Sequence, residues 1–95
     1  ADMVEAAVDE CPRQVAAIRA AIRSRDPRSI RRLAHTLKGS LGYFGHTSAV
    51  EVAEQLQQAA EQGRLGDVPP LLVALEYEIR LFTTALSRRL ETSKV

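Results

Sequence analysis

Tryptophan is absent from this sequence, cysteine occurs once, and the only aromatic residues are two tyrosines and two phenylalanines. A lone Cys11 excludes an internal disulfide and any cysteine-based metal cage, and it fits a reducing compartment. By residue type it reads as a small buried apolar side chain. No apolar run approaches the ~20 residues that cross a bilayer, and no basic-then-apolar leader opens the chain. A soluble module working in the cytoplasm is therefore expected, whether or not a parent chain is membrane-anchored. The start at Ala1-Asp2-Met3 resembles neither an intact initiator methionine nor an export signal, which suggests a piece of a longer protein. A formal net charge of +1 leaves neither a nucleic-acid footprint nor a strongly acidic surface, so any charge effect must come from local patterning. No segment alternates with period two, so no strand is expected. There is no Walker A pattern and no glycine-rich nucleotide fingerprint, hence no ATP site of the chain's own.

What the sequence does contain is helical periodicity. Ninety-five residues suit one domain, its core running from about Val4 to Leu90. Val4, Val8, Cys11, Val15, Ile18 and Ile22 keep one seam, interrupted by Pro12, which removes an amide and clashes with the preceding turn. Two helices are read here, a short one over about 2–9 and a second over 12–24, or a single kinked one. Asp26-Pro27 reads as N-cap and first helical residue of a helix running to about Tyr43. Ser48 and Glu51 form a capping-box pattern for the next helix, whose inner face is Val52, Ala53, Leu56, Ala59 and Ala60 and which Gly63 ends. After Gly66-Asp67, Pro69 and Pro70 fit only a first turn, and Leu72, Leu75, Ile79, Phe82, Leu86 and Leu90 continue as a long stripe. The tail from Glu91 to Val95 is expected to fray. The fold expected is all-α: an antiparallel, up-and-down four-helix bundle with a short extra N-terminal helix.

One histidine stands apart from this scaffold. On a wheel turning about 100° per residue, Ile30, Leu33, Leu37, Leu41 and Phe44 form the core-facing stripe of the second main helix, and His35 lies roughly 160° away. Arg28, Arg31, Arg32, Gly39, Gly42 and His46 share its broad solvent side, with Lys38 one turn along on the flank. An exposed, solitary histidine is by itself unremarkable. Gly39 and Gly42 change its meaning, because each costs an exposed helix position up to about 1 kcal/mol relative to alanine. Bare backbone beside an exposed imidazole lets a large partner approach it closely. Lys38 adds a cation suited to an anion carried on the ring. A close helix crossing or a helix end is the competing explanation for the glycines, and Gly45 reads as such an end. Gly39-x-x-Gly42-x-x-Gly45 lies inside or at the end of a helix, the wrong context for a phosphate cradle. His46 would be about 16 Å farther along the helix, too far to share a metal ion with His35.

His35-Thr36-Leu37-Lys38-Gly39-Ser40, followed by Gly42, Phe44 and Gly45 and a second amphipathic segment, strongly resembles a histidine-containing phosphotransfer (HPt) domain, over about Val4 to Leu90. Leu41, Tyr43 and His46 depart from the residue types common in that family at those places. The resemblance implies that His35 is the phosphoacceptor, that Lys38 is the charge partner of the phosphoryl group, and that Gly39 is the gap admitting a partner. Gly42, Arg31 and Arg32 complete the expected docking face, and one or more of Arg28, Arg31 and Arg32 would meet an acidic surface.

The function expected is that of a monomeric phosphorelay module carrying a phosphoryl group between receiver-domain aspartates, either free or detached from a hybrid sensor kinase. Magnesium is expected from the partner receiver, with no cofactor or metal held by this chain. A neutral imidazole is a suitable nucleophile near physiological pH, and such transfer rests on in-line positioning and charge neutralisation. Two alternatives share the same residues: a helical docking module that is never phosphorylated, and the phosphoacceptor domain of a chemotaxis-type kinase.

Overall fold

Helix boundaries in the computed structural model follow short-range chemistry. It describes residues 3–43, 45 and 47–93, with side chains described for 9–43, 45 and 47–88. Among these residues there are four α-helices and no strand: α1 (Met3–Arg23), α2 (Pro27–Gly42), α3 (Ser48–Glu61) and α4 (Val68–Ser93), the last preceded by a 3-10 turn at Leu65–Asp67. Asp26 caps α2, accepting from the Ser29 amide at 3.3 Å and the Ser29 hydroxyl at 2.7 Å, and Pro27 follows in the first turn. The Ser29 hydrogen bonds, side chain first, hold the Asp26 carboxyl below the usual aspartate range. The cap of α3 falls one residue earlier than the Ser48 pattern predicts. Thr47 has extended φ and ψ, and its hydroxyl accepts from the Val50 amide at 3.4 Å, so Ser48 is already the first helical residue. Gly63, with φ of 71°, closes α3, and the Arg64 amide reaches back to the Ala59 carbonyl at 2.8 Å. Helix α4 continues through Glu91 to Ser93, past the point where the sequence suggested fraying.

The N-terminal segment requires a correction. The short extra helix expected ahead of Pro12 is not a separate element, because α1 is one helix of 21 residues with Pro12 inside it. A mid-helix proline costs about 3 kcal/mol or more. It is outweighed here because Cys11, Val15 and Ile18, on either side of the interruption, are all buried in one continuous seam, each such side chain contributing roughly 1.5–3 kcal/mol. Pro12 itself faces solvent. The side chains of Val4 and Val8 lie outside the described set.

Consecutive helices pack against each other, and α4 returns to pack on α1, closing the ring. Connections this short make neighbouring helices antiparallel. The core is built from Ile18 and Ala21 of α1, Ile30, Ala34, Leu37 and Leu41 of α2, Ala53, Leu56, Ala59 and Ala60 of α3, and Val68, Leu72, Leu75 and Ile79 of α4. Among the described residues, no polar or charged residue is buried. Cys11 is 1% exposed, and its thiol is pushed up by burial first and by the Glu10 carboxylate second. One ion pair, Arg19 to Glu76 at 2.6 Å, staples α1 to α4 on the surface. The pair α2–α3 is the most extensively packed, which the alanines on the inner face of α3 allow.

Two consequences are measurable. Arg25 occupies the left-handed region with φ of 53° at the end of α1, where the Asp26 amide bonds the Ala21 carbonyl at 3.2 Å; glycine is the residue suited to that place. Arg25→Gly is expected to stabilise the fold by about 1 kcal/mol, read as a rise in denaturation midpoint at unchanged slope. Asp26 has its pKa lowered on folding, so its contribution is present above the unfolded aspartate range and is lost as pH falls through the folded value. Asp26→Ala is therefore expected to lower the melting temperature at neutral pH, with a gap from wild type that narrows below the aspartate range.

Candidate functional site

Helix α2 presents its buried face through Ile30, Ala34, Leu37 and Leu41, and that stripe fixes which side chains point outward. His35 and Thr36 are exposed, directly beside the fully buried Ala34 and Leu37. His35 shares an open hollow with Arg28, Ser29, Arg31, Arg32 and Thr36. Lys38, one turn further, is half-buried and has no hydrogen bond or ion pair with any described residue. Leu41 is core rather than surface, at 0% exposure, so its departure from the family pattern concerns packing. Tyr43, at the end of α2, is 65% exposed. Phe44 and His46 lie outside the described residues.

Packing does not require glycine at Gly39 or at Gly42, although Gly42 is the last residue of α2. A Cβ built at Gly39 or at Gly42 meets nothing within 4 Å, which removes a close helix crossing as their explanation. Gly45 is different, since its φ of 114° belongs to a turn that disfavours other residues. Gly39 and Gly42 leave bare helix backbone open to solvent on the His35 side.

The structure adds two residues that the sequence reading did not single out. Gln57 of α3 reaches across to His35, with its Oε1 3.4 Å from Nδ1. The Gln57 amide nitrogen in turn donates to Glu61 Oε1 at 3.1 Å. The second bond fixes the sense of the first. A carboxylate can only accept, so the NH₂ of Gln57 faces Glu61 and its carbonyl oxygen faces the ring. An oxygen acceptor demands a proton on Nδ1, which leaves the lone pair on Nε2, and Nε2 has no hydrogen-bond partner among the described residues. An exposed imidazole in that tautomer is a nucleophile at Nε2. On the wheel of α3, Gln57 and Glu61 share one face at i, i+4, a signal the sequence does carry. That this face abuts α2 is not readable from either helix alone.

Charge around the ring is mostly positive. Arg28 and Arg32 are exposed without an ion-pair partner among the described residues. Arg31 is half exposed and sits 3.9 Å from Glu61, a loose pairing that ties this candidate docking residue to the Gln57 relay. Among the described residues, no group of three or more His, Cys, Asp or Glu side chains is placed to hold a metal ion. No helix of the described residues is long and apolar enough to cross a membrane.

Gly39→Ala is expected to raise stability by up to about 1 kcal/mol, because the new methyl meets open space and gains helix propensity. Chemical denaturation checks this, and a loss of stability would mean that Gly39 serves the fold.

Comparison with known proteins places the geometry in context. A family model described as Hpt domain matches residues 2–92. Among solved structures, the crystal structure of histidine-containing phosphotransfer protein B (HptB) from Pseudomonas aeruginosa PAO1 superposes with a TM-score of 0.88 at 21% sequence identity, covering 92% of this chain and 76% of that one. At that identity the match concerns the fold, an all-helical arrangement of the same kind. A search of curated protein sequences finds no match.

Proposed function

This chain belongs to the Hpt domain family and is a histidine phosphotransfer module of a phosphorelay; from that premise we propose that His35 carries the phosphoryl group, on Nε2. The observation that carries this reading is the bond between Nδ1 and Gln57 Oε1 at 3.4 Å, which holds the proton on one ring nitrogen and leaves the other nucleophilic on an exposed face. Modules of this family work with receiver domains, and an aspartyl phosphate is the chemical form in which a receiver would present the group.

In this reading, the Nε2 lone pair attacks phosphorus in line. The N–P bond forms as the O–P bond to the receiver's aspartate breaks, and the leaving electron pair returns to that carboxylate. The ring gains positive charge while Nδ1 keeps its proton, held by the Gln57 oxygen. Reversal delivers the group to another carboxylate. This chain contributes position and charge. Lys38, one turn from His35 and unpaired among the described residues, is the side chain we assign to the phosphoryl oxygens. Gly39 and Gly42, where a Cβ would meet nothing internal, are assigned to the approach of the receiver. Arg28, Arg31 and Arg32 favour an acidic rim on that receiver, so association should weaken as salt rises. Side chains around His35 supply one carboxylate, Glu61, among several cations, a donor set that does not fit magnesium; the metal is assigned to the receiver.

The test is intact mass at neutral pH after incubation with a phosphorylated receiver or a small phosphodonor and magnesium. Wild type is expected to gain one phosphoryl mass, lost on mild acid treatment. His35→Gln is expected to gain none while its melting temperature stays within the range of an exposed substitution, about 0.5 kcal/mol. Labelling that persists in the variant would move the phosphoacceptor elsewhere, and unfolding would contradict the exposed placement.

A further inference from the structure

Glu61 occupies the last position of α3, the end where the helix dipole disfavours an acid, and α3 has no basic residue in its last turn. Nothing in the capping of α3 uses its carboxylate, since the Gln62 and Gly63 amides bond backbone carbonyls. Its oxygen instead receives the Gln57 amide at 3.1 Å and lies 3.9 Å from Arg31. This carboxylate is held in an unfavourable place by contacts that lead to the histidine ring.

We infer that Glu61 is a positioning residue that decides which nitrogen of His35 is free, by locking the orientation of the Gln57 amide. The inference rests on the reading of His35 given above, and extends it one residue outward. A glutamine side chain has two nearly isosteric orientations, one offering oxygen to the ring and the other offering NH₂. Offered oxygen, Nδ1 must carry the proton and Nε2 is left nucleophilic. Offered NH₂, Nδ1 must accept, the proton moves to Nε2, and the outward nitrogen loses its lone pair. The contact at His35 cannot choose between these, because a neutral imidazole satisfies either. Glu61 can, because an ionised carboxylate accepts and never donates, so only the orientation with NH₂ toward Glu61 satisfies both ends. Arg31, on the same helix as His35 and half exposed, lies 3.9 Å from Glu61 and donates only, so it does not compete for the Gln57 NH₂ and takes no part in the tautomer choice. The other charged groups on the His35 side, Arg28, Arg32 and Lys38, offer the Gln57 amide no acceptor that would compete with Glu61.

The experiment reads the tautomer directly in the unphosphorylated protein, by ¹⁵N–¹H long-range correlation of the His35 ring at a pH above its titration. Wild type is expected to show a protonated Nδ1 and an unprotonated Nε2. Glu61→Leu is expected to lose that preference, with the ring shifting toward the reverse pattern or an average of the two. Replacing Gln57 by glutamate removes the choice of orientation, since a carboxylate facing Nδ1 can only accept. The double variant Gln57→Glu with Glu61→Leu is therefore expected to regain the Nδ1-protonated pattern. In a parallel assay, Glu61→Leu is expected to slow phosphoryl acceptance by about 2- to 10-fold, the range of one net hydrogen bond. An unchanged tautomer in Glu61→Leu, or a double variant that fails to recover it, would overturn the role of Glu61. Neither result touches the phosphoacceptor assignment, which stands or falls on the mass measurement with His35→Gln. Both substitutions are on the surface, and removing an acid from the end of α3 does not weaken that helix, so the variants are expected to fold.

Discussion

The packing of α2 against α3 is the constraint on which the rest depends. Ile30, Ala34, Leu37 and Leu41 are each 0–1% exposed, and burying all four leaves α2 one permitted rotation about its axis. A slip of one residue would turn every side chain by about 100°, carrying His35 off its exposed face and bringing Ala34 or Thr36 into its place. Helix α3 is locked in the same way by Ala53, Leu56, Ala59 and Ala60. With both rotations set, Gln57 is left on the flank of α3 that meets α2, and the 3.4 Å contact to His35 follows. Precision at an exposed ring is thus produced by a core that, among the described residues, buries no polar or charged residue.

Several local features run against the stability of the helices that carry them, and they gather on this one side of the bundle. Gly39 and Gly42 weaken α2 without relieving any internal clash. Glu61 places an acid at the wrong end of α3. Arg28, Arg31 and Arg32 crowd like charge into the first turns of α2, where the dipole favours acids and the sequence supplies none there. The helix ends of α2 and α3 are by contrast locally consistent: Asp26 caps α2, Thr47 caps α3, and Gly63 closes it. Pro12 within α1 is offset by the buried seam around it, whereas the glycines and like charges on the His35 side have no such internal compensation, which is what a surface shaped for a partner produces.

The relay from Glu61 through Gln57 to His35 also shows how an exposed group can be pre-set without burial. Each member keeps some contact with solvent, yet the chemistry of the terminal carboxylate dictates the direction of every hydrogen bond between it and the ring. Such an arrangement leaves the outward nitrogen available without burying the ring.

By itself, the sequence determined the helical class, the turn positions, and the outward placement of His35. Each of these follows from short-range physics: the 3.6-residue period of apolar residues, the capping chemistry of Asp26, and the conformational freedom of Gly63. It also held enough local pattern in His35 to Gly45 to point to the family. Where local signals competed, the tertiary structure decided. Pro12 marked a break by its own chemistry, yet the continuous seam of Cys11, Val15 and Ile18 carries α1 through it. Ser48 carried the capping pattern, yet it is Thr47 that adopts the extended conformation and accepts from the Val50 amide. The contact between Gln57 and His35 was decided only there as well, because Gln57 is 22 residues away on another helix, and a periodic pattern says which residues share a face without saying which face of another helix it meets.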